Sequence, residues 1–136
     1  MPLPKLIGIR GVGPGTGKDT ATEIFLKLLN SDGEKYTHKK FATPIREVAE
    51  IITGIPVHTT ETTEGKNIVF PEMGSSIGRL LQKLGTEIIK DNTYPNVWVD
   101  ALFRTIGDHE KCIISDVRFE NEQNMIKQKG GIIILI

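Results

Sequence analysis

An apolar run over residues 5–10, centred on Leu6-Ile-Gly-Ile, is followed by a glycine-rich stretch and then by apolar positions at Ala21, Ile24, Phe25, Leu28 and Leu29. The first pattern predicts a buried strand. The second has the i, i+3, i+4, i+7, i+8 spacing of an amphipathic helix, ended by Asn30-Ser-Asp-Gly33. Over residues 35–42, Tyr36, His38 and Lys40 alternate with Thr37, Lys39 and Phe41, a strand pattern without a clean apolar face. Thr43 and Pro44 read as an N-cap and first helical position, so Ile45, Val48, Ala49 and Ile52 predict a helix over 44–53 that stops at Gly54.

Residues 55–74 have little periodicity, two prolines and many threonines, and are expected to form an irregular, mobile segment. Ile77, Leu80, Leu81, Leu84 and Ile88 restore a helical stripe, and Pro95-Asn96 introduces a short helix carrying Val97, Trp98, Ala101, Leu102 and Thr105. Cys112-Ile-Ile-Ser-Asp116 reads as an apolar strand. The next helix starts with Glu120 and Glu122 and ends with Lys127, Lys129 and Gly130, charges placed as the helix dipole favours. Residues 132–136 complete the series as a fully buried strand. Strands alternating with helices predict an α/β domain, and 136 residues suffice for a single one over 1–136.

Composition narrows the function classes. Seventeen basic and seventeen acidic residues cancel, so no overall positive field points to a nucleic acid or an anionic membrane as partner. The single Cys112 excludes an internal disulfide, and no apolar run approaches the roughly 20 residues of a membrane-spanning helix. A reducing, cytoplasmic setting is the expectation. His38, His58 and His109 are scattered and give no metal-ligand spacing.

The chemistry concentrates in Gly11-Val-Gly-Pro-Gly-Thr-Gly-Lys-Asp-Thr20, which lies between the first strand and the first helix. A phosphate-binding loop needs that context. Its glycines let the backbone curl with the N–H groups turned inward, and its lysine reaches the β and γ phosphates at the helix N-terminus. Gly13, Pro14, Gly15, Thr16, Gly17, Lys18, Asp19 and Thr20 are therefore candidate ATP-binding residues. The fit to G-x-x-x-x-G-K-[ST] is incomplete, since Val12 takes the place of the first glycine and Asp19 that of the hydroxyl. A dinucleotide-binding turn fits worse, because it needs glycine at Thr16 or Lys18.

Other residues gain meaning from this loop. Arg46 sits in the first turn of its helix, where the dipole disfavours a cation unless an anion is near; the competing reading is an i, i+4 pair with Glu50. Arg79, Lys83, Glu87 and Lys90 share a polar helix face that spacing alone assigns to solvated ion pairs, and Trp98 alone reads as core. Asp116 ends an apolar strand, as the Mg²⁺-side acid of a phosphate-loop enzyme does. If that strand continues, Arg118 shares its face, either as a ligand-binding cation or as a surface partner of Asp116.

Four blocks carry a resemblance: Gly15-Thr-Gly-Lys-Asp-Thr20; residues 41–54; residues 78–87 with Asn96-Val-Trp-Val-Asp-Ala101; and Ile114-Ser-Asp-Val-Arg-Phe-Glu-Asn-Glu122. In this order and spacing they cover most of the chain, which resembles the deoxynucleoside monophosphate kinases of bacteriophages and large viruses. In that family Lys-Asp-Thr is an ordinary variant. The resemblance implies a P-loop NTPase fold, three-layer α/β/α with a mainly parallel sheet, and ATP-dependent, Mg²⁺-assisted phosphorylation of a deoxynucleoside 5′-monophosphate. It implies Lys18, Asp116 and Arg118 as catalytic, and Asp19 with Asp116 as Mg²⁺ residues acting through water. Arg46, Arg79, Lys83, Trp98 and Arg118 would bind the small-molecule acceptor. A homodimer stays open, and a viral source would place the protein in host cytoplasm.

Kinases of this type are similar to one another in having an arginine-bearing lid and a further strand beyond the last one here. Together with the apolar Gly131-Ile-Ile-Ile-Leu-Ile136, this gives the expectation that the sequence is truncated at its C-terminus. Two alternatives follow: a nucleotide-binding module without transfer activity, or another P-loop kinase such as one acting on dephospho-coenzyme A. A GTPase switch lacks its Asn-Lys-x-Asp tetrapeptide.

Overall fold

A computed structural model describes residues 3–13 and 15–136. Four strands, β1 (Leu6–Arg10), β2 (Tyr36–Lys39), β5 (Lys111–Ile114) and β6 (Ile132–Leu135), form a parallel sheet in the order β2-β5-β1-β6. The helix α1 (Lys18–Ser31) packs Phe25, Leu26 and Leu29 against Ile7, Ile9, Tyr36 and Ile113. Strand alternation turns Gly8 to the opposite face. There it lies so close to Ile126 of α6 (Glu120–Gln128) and to Val117 that a Cβ would meet them at 2.8 and 3.1 Å. Helices thus cover both faces, giving the predicted α/β/α layering with a parallel sheet.

The chain clusters into two compact units, residues 1–41 with 103–136, and residues 42–102. The sheet belongs to the first. The second contains α2 (Ala42–Thr53), a 3₁₀ turn at Val57–Glu61, α3 (Thr63–Lys66), a hairpin of β3 (Val69–Phe70) and β4 (Ser75–Ser76), and α4 (Ile77–Gln82). Wider π-helical turns follow at Lys83–Ile88, and α5 (Val97–Phe103) ends the unit at Leu102, its last residue Phe103 belonging to the first unit. Ala49, Leu80 and Leu84 are its buried centre, with Ile45, Val48, Leu81 and Trp98 around them. Among the described residues no helix is long and apolar enough to cross a membrane.

Several expectations change. The face of α1 turned to the core runs through Thr22, Phe25, Leu26 and Leu29, while Ile24 and Leu28 are exposed. Thr22 tolerates burial because its hydroxyl donates to the Lys18 carbonyl at 2.7 Å. The helix expected from Pro44 starts two residues earlier, so Thr43 lies inside it; Gly54, with φ +76°, still ends it.

Residues 55–74, expected to be irregular, carry the 3₁₀ turn, α3 and β3, tied locally by Thr62 Oγ1 accepting from Gly65 N–H at 2.9 Å. The stripe at Ile77, Leu80, Leu81 and Leu84 is as expected, but the helix widens at Lys83. The Ile88 side chain lies outside the described residues. Strand β6 is not fully buried: Ile132 is 46% and Leu135 61% exposed, and among the described residues β6 is an edge strand that pairs only with β1.

Candidate functional site

The connections of the first unit fix where its crevice opens. From β1 the chain crosses through α1 to β2 on one side, and from β5 it crosses through α6 to β6 on the other. Strands β1 and β5 are neighbours, so the direction of winding reverses at their carboxyl ends, where open α/β sheets bind ligands. The amide of Val117 donates to the Ile9 carbonyl at 3.3 Å, which holds the chain beyond β5 against the end of β1.

A cleft of about 810 Å³ lies there, lined by the glycine-rich loop from Gly11 to Thr20 with Arg10, Val117 and Arg118. Pro14 is outside the described residues. Gly15 and Gly17 have φ of +72° and +83°, a left-handed conformation that side-chain-bearing residues seldom adopt, so this curl needs glycine. Gly17 is also the N-cap of α1 and brings no side chain to its first N–H groups. The positive end of the helix dipole is therefore left to a ligand. A Cβ on Gly13, Gly15 or Gly17 would meet nothing within 4 Å, so the concave side is open. Thr16 Oγ1, by contrast, is buried and has no hydrogen-bond partner among the described residues. Such a cradle suits phosphate oxygens.

Lys18, Asp19 and Thr20 line this cleft in the first turn of α1. Arg118 lines it from the other side, with its guanidinium 5.7 Å from the Phe119 ring centroid. Its backbone is anchored by Glu122, whose Oε1 accepts from the N–H groups of Arg118 at 2.8 Å and Phe119 at 3.0 Å. This is the reach-back half of a capping box at the start of α6.

Asp116 is outside the cleft lining. Its Oδ1 accepts from the Phe41 N–H at 2.7 Å, which fixes the carboxylate at the carboxyl edge of the sheet. Strand β5 ends at Ile114, so the shared strand face expected for Asp116 and Arg118 does not form; the chain beyond is irregular. His38 Nε2 and Ser115 Oγ lie 2.6 Å apart beside this turn, a contact that sequence spacing did not suggest.

In the second unit, Arg46 is 8% exposed, and its Nε and Nη1 find no hydrogen-bond partner among the described residues. The alternative pair with Glu50 does not form, for Glu50 Oε1 accepts from the Val57 N–H at 3.0 Å. Arg79 pairs with Glu87 at 2.8 and 3.4 Å, the surface ion pair its spacing suggested. Lys83 is partly buried at the start of the π-helical turns. Trp98 packs against the Ala49, Leu80 and Leu84 centre and donates its indole N–H to the Leu84 carbonyl at 3.2 Å.

Residues 52–136 match the family model described as deoxynucleotide monophosphate kinase. The chain belongs to that family. It is also 29% identical to a protein of Acanthamoeba polyphaga mimivirus provisionally named deoxynucleotide monophosphate kinase, over 96% of this chain and 72% of the relative. The matched residues begin after the glycine-rich loop, so of the described cleft lining Val117 and Arg118 fall within the matched span and the loop itself does not.

As a deoxynucleotide monophosphate kinase family member, the chain is a kinase of nucleotide metabolism with a small-molecule nucleotide as substrate. Sequence reasoning missed Arg10, Gly11, Val12 and Val117 as lining residues. Gly11 had a signal, its place at the start of the loop; a Cβ there would approach Thr16 Oγ1 to 2.7 Å.

Proposed function

We propose that the chain transfers the γ-phosphoryl group of ATP, with Mg²⁺, to a deoxynucleoside 5′-monophosphate. The observation that carries this reading is the cleft at the carboxyl ends of β1 and β5, where an uncapped helix N-terminus, Lys18 and Arg118 converge in a chain of this family. Phosphoryl transfer asks the protein for positioning and charge neutralisation rather than covalent chemistry, and this is what such a lining supplies.

The fit to a triphosphate rests on the open concave side of the loop and the unpartnered Thr16 hydroxyl. When bound, the nucleotide supplies the transferable group and the metal ion neutralises its charge. The loop amides and Lys18 hold the donor phosphates. Asp19 in the cleft and Asp116, held by Phe41 N–H, are acids for a metal that binds through water and phosphate more than through protein ligands.

Arg118 meets the charge that builds on the transferred group. Arg46 takes the acceptor phosphate, since a guanidinium fork matches phosphate oxygens and this one is held desolvated and unpaired. Arg79 can join it only by exchanging Glu87 for phosphate. Lys83 adds charge, and Trp98 offers a ring edge to the acceptor base or deoxyribose.

The test is ADP release from Mg-ATP with each deoxynucleoside and ribonucleoside monophosphate in turn. One or more deoxynucleotides should support turnover, and Lys18→Ala should abolish it with an unchanged circular dichroism spectrum. Nucleotide binding without ADP formation from any acceptor would leave a binding module and overturn the proposal.

A further inference from the structure

We propose that Arg10 is a donor-phosphate residue that binds the terminal phosphate of a nucleoside triphosphate, acting as a third cation of the cleft beside Lys18 and Arg118. It is the last residue of β1, directly before the loop, and it lines the same cleft. Its backbone is fully used by the sheet. Arg10 pairs with Leu135 of β6, and its carbonyl accepts from Ile136 N–H at 2.9 Å.

Its side chain is not used in this way. Strand alternation puts it on the Gly8 face, the side on which Val117 lies, rather than on the Ile7 and Ile9 face covered by α1. The guanidinium makes no ion pair or hydrogen bond among the described residues. Its half-buried guanidinium fork is therefore available to whatever fills the cleft that it lines.

The charge balance of the lining states what that is. Arg10, Lys18 and Arg118 oppose a single carboxylate, Asp19. Lys18 and the loop amides reach the cleft from the start of α1 and Arg118 from beyond β5, while Arg10 reaches it from the end of β1, the strand adjoining β5. An excess of cations beyond the loop lysine matches a triphosphate better than a diphosphate, whose charge the loop already meets. Arg10 thereby selects the charged donor from the spent one, which favours release of the diphosphate product after transfer.

This inference rests on the donor-site reading above, and its test separates the two. Equilibrium affinities for Mg-ATP, Mg-ADP and AMP are measured on the wild type and on Lys18→Ala, Arg10→Gln and Arg10→Lys, each first checked by thermal melting. Losing one charge-assisted contact predicts Mg-ATP binding weakened about 10- to 100-fold in Arg10→Gln, Mg-ADP changed less than about threefold, and most of the ATP affinity kept in Arg10→Lys. If Lys18→Ala binds Mg-ATP like the wild type, the donor-site reading itself fails. If Lys18→Ala loses affinity while Arg10→Gln loses none, or loses ATP and ADP affinity equally, the Arg10 assignment alone is overturned.

Discussion

Replacing Arg46 with methionine should make the protein more stable and a worse enzyme at once. Arg46 is 8% exposed, and two guanidinium nitrogens that would bond water in the unfolded chain have no partner among the described residues. A buried donor left unsatisfied costs about 1–3 kcal/mol, more where it carries charge. Methionine keeps most of the unbranched stem and removes the donors, so part of its packing survives. The net gain should be about 1–3 kcal/mol. For a chain of this size that corresponds to a melting temperature higher by roughly 3–10 °C.

The functional half of the prediction uses the same assay. Saturating acceptor should raise the melting temperature of the wild type, by an amount equivalent to about 2.7 kcal/mol at a hundred times Kd. It should leave Arg46→Met almost unmoved, and the acceptor KM should rise while affinity for Mg-ATP holds. Arg46→Lys keeps charge without the fork and should gain no stability. A lower melting temperature for Arg46→Met, or an acceptor shift equal to that of the wild type, would refute the claim that Arg46 is held unpaired for a ligand.

Two further outcomes are expected. Glu122→Ala removes a charged acceptor from two backbone N–H groups, so urea denaturation should show a loss of about 2 kcal/mol, and turnover should fall because Arg118 is no longer anchored; Glu122→Gln should lie between. Cys112 is fully buried, and burial is the main cause that pushes its thiol from 9.0 up to about 11. The folded state therefore holds this proton where the unfolded state has lost it, so its contribution to stability is complete below about pH 9 and disappears between about pH 9 and 11. Alkylation at pH 8 should accordingly be slow until denaturant is added; rapid labelling of the folded chain would contradict the burial.

The donor side of the site was legible because a phosphate loop is contiguous. The same ten residues supply the strand exit, the glycines that curl and the helix that points its dipole inward, and Gly15 and Gly17 do adopt the left-handed geometry such a curl needs. What failed was the orientation of α1. The run Ala21-Thr-Glu-Ile-Phe-Leu-Lys-Leu-Leu29 holds two overlapping apolar stripes, and the one read from sequence passes through Ala21, Ile24 and Leu28 without Thr22 or Leu26. Yet Thr22 satisfies its own hydroxyl on Lys18 and is buried, so the stripe through Leu26 faces the sheet. Periodicity alone cannot separate stripes when a polar residue carries its partner within the helix.

Arg10 was illegible for a different reason, one of topology. From sequence it is the polar residue that terminates an apolar strand, and although the glycine-rich loop follows it directly, the loop pattern assigns no role to the residue before its first glycine. Its significance depends on the strand order. Because β1 pairs with β5 rather than with β2, the Val117 amide reaches the Ile9 carbonyl, and Val117 and Arg118 come to line one cleft with Arg10, from which they are far apart in sequence. If β2 and β1 were neighbours instead, as an ordinary sequential pairing would have it, the first crossover would not skip a strand and no reversal of winding would open a crevice between them. The same four blocks of sequence could then still be read as a kinase, but Arg10 would face a closed pair of strands. The cation therefore acquires its role from the sheet, and only after the sheet has set β1 beside β5 does a lone arginine before a glycine become a candidate for the terminal phosphate.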